Sequence, residues 1–174
     1  MSETRGVFSL EEVIDQKAEG DYVPLDQVWH SPSPGSTPNT GYFGGGNGPK
    51  STMDKVTYAS DTTAQVPGAS LSTVRYLLAA TGNSTHGYFG GGYPGPKSTM
   101  DKTTYASDTT AAVPGAALST ARHLLAATGN STHGYFGGGN GPRSTMDKVT
   151  YASDTTAAVP GAALSAARYS LAAT

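Results

Sequence analysis

Along "MDKVTYAS" (146–153) apolar and polar residues alternate, with Val149 and Tyr151 on one face and Lys148 and Thr150 on the other. That period of two is the pattern of a half-buried strand. Upstream, "ARHLLAAT" (121–128) reads as a strand of small residues, "GN" (129–130) as a tight turn and "THGYFGGG" (132–139) as the strand that pairs back. A shorter fourth strand runs through "TTAAVP" (155–160). The pattern therefore predicts a meander of four short strands.

The same wording occurs three times. "GYFGGG" stands at 41–46, 87–92 and 134–139, and its Tyr42, Tyr88 and Tyr135 are spaced by 46 and then 47 residues. The extra residue lies in "YPGPK" (93–97), which replaces "NGPK" (47–50). "STMDK", "TYASDTTA" and "VPGA" follow in register in each copy. Periods of this size belong to propellers, solenoids or helical arrays. Helical arrays are excluded, because each unit carries a Gly triplet and several Pro and no apolar stripe of three or four turns. The expected fold is all-β, in three blade-like four-stranded units starting near 41, 87 and 134. Gly44, Gly45, Gly90, Gly91, Gly137 and Gly138 are expected where neighbouring backbones crowd together.

These residues resemble the kelch repeat family. An Arg opens the first strand (Arg75, Arg122, Arg168), a small apolar run follows, Tyr-Phe-Gly-Gly forms the second strand, and Asp-x-Val/Thr-x-Tyr the third. The resemblance covers about three quarters of the chain. It implies a β-propeller, with the arginines structural, bridging to carbonyls or to the blade's Asp. One departure concerns packing: the family places a Trp about six residues after the third-strand Tyr, where this chain has Ala64, Ala111 and Ala157. The first copy begins at its second strand, while "ARYSLAAT" (167–174) is a first strand with no second, and in the kelch family such a split closes the ring. Three blades fall below the usual four to eight. The expectation is a homodimer in which two chains form one six-bladed ring, each supplying the closing strand. The alternative is a trimer or fibre that also protects the sheet edges.

Residues 1–39 differ in composition and contain no repeat. Ser9 and Glu12 form a capping box, with Phe8 and Val13 as a hydrophobic staple, predicting a short helix over about 9–18. "HSPSPGSTPN" (30–39) reads as an extended linker. The segment reads as a docking arm whose Phe8, Leu10, Val13, Ile14 and Trp29 bind another protein surface. An arm opening Arg5-Gly6-Val7-Phe8 ahead of near-identical Gly-Tyr-Phe-Gly-Gly repeats resembles the virion-surface and tail-appendage proteins of marine, cyanophage-like bacteriophages. That resemblance implies a non-enzymatic structural protein at the virion surface, its arm held by other virion proteins.

Composition narrows the chemistry. A net charge of −2 gives no field favouring nucleic acid, and no apolar stretch reaches the roughly 18 residues needed to enter a membrane as a helix. With no Cys, thiolate metal sites and thiol nucleophiles are excluded. His86 and His133 recur before "GYFGGG", but Thr40 breaks the series, so they read as strand-end residues of a hairpin. Asp61, Asp108 and Asp154 recur in "SDTT" and read as turn residues. Catalysis needs unlike groups converging on one place, whereas near-identical units present the same group at every station. No cofactor or metal is implied. A second functional reading is a carbohydrate-binding adhesin touching host glycans through Tyr93, Asn47 and Asn140 at the loop tips.

Overall fold

The computed structural model describes residues 39–48 and 50–174; the predicted helix over 9–18 and the five docking residues of the arm lie outside them. The described chain forms three antiparallel, blade-like sheets. The first contains β1 (Thr40–Gly44), β2 (Met53–Thr57) and β3 (Thr62–Gln65). The second contains β4 (Ala79–Gly82), β5 (His86–Gly90), β6 (Met100–Thr104) and β7 (Thr109–Ala112), and the third β8 (Ala126–Gly129), β9 (His133–Gly137), β10 (Met146–Thr150) and β11 (Thr155–Ala158). Each is a meander in sequence order.

Equivalent positions pair identically. Tyr42 faces Lys55, Tyr88 faces Lys102 and Tyr135 faces Lys148. The "SDTT" turns join the third strand of each unit to the fourth, and Asp61, Asp108 and Asp154 all take a left-handed backbone, with φ of 50°, 51° and 51°. Asp adopts that region more readily than most side chains because its short carboxylate bonds locally. In the hairpin between β4 and β5, the Asn83 amide oxygen accepts from the backbone N–H of Thr85 and of His86, both at 2.9 Å. Asn130 repeats this between β8 and β9.

After the outermost strand, a single 3-10 turn at Pro67–Ala69, Pro114–Ala116 or Pro160–Ala162 sends the chain toward the next unit. The connector crosses against the glycine triplet of the sheet it leaves: the Gly46 N–H donates to the Arg75 carbonyl at 3.1 Å, and Gly92 does the same to Arg122 at 2.9 Å. Crowding at this crossing accounts for the triplet. A Cβ on Gly45, Gly91 or Gly138 would lie 2.5, 2.6 or 2.8 Å from the carbonyl oxygen of Arg75, Arg122 or Arg168, and all three glycines have positive φ.

The core lies between sheets. One cluster joins Met53, Ala69 and Leu71 of the first unit and its connector to Phe89 of the second; the other joins Met100, Ala116 and Leu118 to Phe136 of the third. Among the described residues β1 has no strand on its outer edge, and residues 171–174 are in no strand.

Candidate functional site

Buried charge is the first anomaly. The alternation that buries Val149 and Tyr151 also buries Asp147, and Asp101 is likewise inaccessible. Each carboxylate meets the Arg that opens its own unit. Arg75 Nη2 lies 2.6 Å from Asp101, and its guanidinium also donates to the carbonyls of Phe89, Gly91 and Thr99 at 3.2, 3.0 and 2.9 Å. Arg122 repeats this with Asp147 at 2.7 Å and the carbonyls of Phe136 and Thr145, both at 3.1 Å. The Ser72 and Ser119 backbone N–H groups also donate to Asp101 and Asp147, and the Ser72 hydroxyl satisfies the second oxygen of Asp101, whereas Oδ1 of Asp147 is left without a partner among the described residues. Burial lowers the pKa of both guanidiniums, and the adjacent carboxylates oppose it. Both groups are committed to the fold.

Between sheets a second set recurs. Tyr42 and Lys55 of the first sheet both donate to Asp108 of the second, with Lys55 Nζ 2.9 and 3.0 Å from its two oxygens. Tyr88 and Lys102 of the second sheet hold Asp154 of the third in the same way, at 3.1 and 2.8 Å from Lys102. Aromatic rings stack across both junctions: Tyr42 on Tyr105 with centroids 5.0 Å apart, Tyr88 on Tyr151 at 4.8 Å. Thr110 and Thr156 reach back to the carbonyls of Ala69 and Ala116 at 2.7 and 2.6 Å. Cross-sheet aromatic packing is thus carried by Tyr and Phe, although Ala64, Ala111 and Ala157 replace the family's Trp.

Other candidates are dispersed. The Nδ1 atoms of His86 and His133 lie 2.8 and 2.9 Å from the hydroxyls of Thr85 and Thr132, beside a shallow groove of about 440 Å³. Burial and Lys102 lower the His86 pKa, with Asp154 opposing. Among the described residues, no three metal-ligating side chains converge. Tyr93 packs edge-on against Tyr76 at 5.4 Å and against His123 at 5.1 Å, while Asn47 and Asn140 are exposed. Asn140 donates its backbone N–H to the His123 carbonyl at 2.8 Å, on the residue Tyr93 packs against.

What does stand open is the pair of end faces. On the first sheet Phe43 is 68 % exposed, whereas its equivalents Phe89 and Phe136 are 4 % and 0 % exposed. On the third sheet, a cavity of about 350 Å³ lined by Tyr135, Gly137, Met146, Leu164 and Leu171 occupies the position that Phe89 and Phe136 fill at the two internal junctions. Sequence reasoning expected the ends to meet through a closing strand but did not name these faces. The signal was present in the register: each Phe fills the preceding unit, so one Phe and one socket are left over.

Solved structures carry this architecture too. The chain shares the fold of YjhT. The TM-score is 0.57 at 10% sequence identity, over 72% of this chain and 48% of that one, so the chain spans about half the length of YjhT. In all, 112 solved chains match in fold, and a fold so widely used selects no single activity. No family model and no curated protein matches the sequence.

Proposed function

We propose that the chain is a non-enzymatic structural protein of a phage virion, with kelch-like repeats forming a decoration or tail component docked by residues 1–39. The observation that carries this reading is where the recurrent polar groups are used. Tyr42, Lys55 and Asp108, and again Tyr88, Lys102 and Asp154, join sheet to sheet, and Arg75 and Arg122 are sealed inside their own units. Groups committed in this way build a rigid scaffold and, among the described residues, are not free to act as the converging unlike pair that catalysis uses. Placement at the virion surface rests on the arm and its resemblance to phage appendage proteins.

The arm acts by burying Phe8, Val13 and Trp29 in a partner, each contributing about 1.5–3 kcal/mol when fully buried. Trp29→Ala is expected to strip the protein from assembled particles while its far-UV circular dichroism and melting temperature stay unchanged. Particles that incorporate the Trp29→Ala protein at the wild-type level would refute the docking role.

A further inference from the structure

We infer that the two open faces of the molecule are the halves of one contact, and that the third sheet of one copy receives the first sheet of a second copy head to tail. This goes beyond the virion reading, because it concerns self-assembly of the repeats and not docking of the arm. The two internal junctions supply the template, and the residue classes they use are present at the ends and, among the described residues, unpartnered there.

The apolar half is the clearest. At the internal junctions Met53 and Met100 are fully buried, as are Ala69 and Ala116, while Leu71 and Leu118 are nearly so. Their equivalents on the third unit are Met146, only partly buried; Ala162, exposed; and Leu164, partly buried. The missing piece is a Phe from a following sheet, and Phe43 is the Phe left without a preceding one. Seated in the socket, it would stand toward Gly137 and Met146 as Phe89 stands toward Gly44 and Met53, and Phe136 toward Gly90 and Met100.

The polar half repeats the argument with charge. Tyr135 and Lys148 stand where Tyr42 with Lys55, and Tyr88 with Lys102, hold an Asp of the next sheet. The Asp to be held is Asp61, exposed on the first sheet with the same left-handed backbone as Asp108 and Asp154. Tyr58, 54 % exposed, is the equivalent of the stacked Tyr105 and Tyr151. Arg168 is exposed, in contrast to the sealed Arg75 and Arg122, and Asp54 is exposed, in contrast to the sealed Asp101 and Asp147. Arg168 of one copy therefore enters the first sheet of the next and pairs with Asp54. By the same register Ala172–Thr174 align with Ala79–Thr81 of β4 and Ala126–Thr128 of β8, and they add to the free edge of β1 by strand addition. The contact is heterologous, with different surfaces meeting, so it closes only if successive rotations complete a circle. Two copies bring six sheets around one axis, inside the range of closed propellers.

Light scattering on a sizing column tests this with the full chain. Wild type is expected at twice the 17.7 kDa chain mass. Phe43→Asp spoils only the first face and Arg168→Asp only the last; each is expected to raise the dissociation constant by at least about 30-fold, the size of a hot-spot loss. Both residues are exposed in the single chain, so circular dichroism should show each variant folded. The decisive arm mixes the two variants: one intact first face and one intact last face remain, and a two-chain species should reappear. Wild-type monomer at the highest soluble concentration, variants that keep the wild-type mass, or a mixture that stays monomeric would each overturn the inference. A wild-type assembly larger than two chains would overturn closure at six sheets. Trp29→Ala changes none of the residues named on the two faces, so the arm's role and the self-contact are tested separately.

Discussion

At the scale of single residues, the Arg–Asp pairs carry the largest local stakes. A buried ion pair gains little net stability over an apolar replacement, but removing one partner leaves the other charged and uncompensated. Arg122 is fully enclosed with Asp147 and two carbonyls, so Arg122→Ala is expected to cost about 3–5 kcal/mol in urea unfolding. Arg168→Ala should cost far less in a chain held monomeric, because Arg168 is exposed there. Equal losses for the two would refute the view that enclosure within the sheet makes the difference. The residue type was legible in the sequence, since an Arg opens each unit and an Asp recurs on the apolar face of the third strand. That the Arg bridges to carbonyls or to an Asp of its blade was expected too; which Asp, and that the pair is sealed from water, came only with the meander that brings Arg75 and Asp101 together.

At the scale of elements, the turn between the third and fourth strands does two jobs. Its Asp accepts a left-handed backbone, and its carboxylate clamps the preceding sheet. Hydrogen bonds from Tyr42 and then Lys55 hold the Asp108 pKa below the ordinary carboxylate value; for Asp154 burial pushes upward, but Lys102 and Tyr88 overcome it. A carboxylate whose pKa is lower in the folded state stabilises fully above its unfolded value of about 4, and this contribution is lost as pH falls through the folded value. Asp108→Asn with Asp154→Asn is expected to lower the melting temperature at neutral pH and to flatten its fall below about pH 4. A double variant with an unchanged acid slope would remove these turns from the account. The tyrosines act at the other extreme. Burial leads in raising Tyr42 and Tyr88 strongly and Tyr105 to about 12, so their contribution is full below about pH 10 and is lost as pH rises further.

At the scale of the whole molecule, stability is a sum of sheets and the junctions between them, as in other repeat arrays. Phe89 and Phe136 each seal a junction, so replacing either by Ala should cost about 3–5 kcal/mol. Phe43, identical in sequence context, should cost almost nothing in the monomeric Arg168→Asp background, because it faces solvent there. Denaturant melts of Phe43→Ala, Phe89→Ala and Phe136→Ala in that background would check the ranking. A loss at Phe43 matching the other two would mean that the first face is already covered within one chain.

The sequence by itself determined three strands of each unit, their order and the period of the repeat; of the opening strand it placed only the end, since residues 121–125 and 167–174 lie in no strand. Alternation, turn residues and glycine triplets act locally, and three near-identical copies must solve the same local problem in the same way. It also showed which residues recur, and therefore which chemistry is structural. Only the tertiary structure decided what each recurrent group touches: that Phe89 belongs to the core of the unit before it, and that Asp108 answers Tyr42 and Lys55 some fifty to sixty-six residues away. Those pairings depend on how successive sheets are offset and rotated against one another, which no local pattern encodes. The same offset leaves Phe43 at one end and its empty socket at the other.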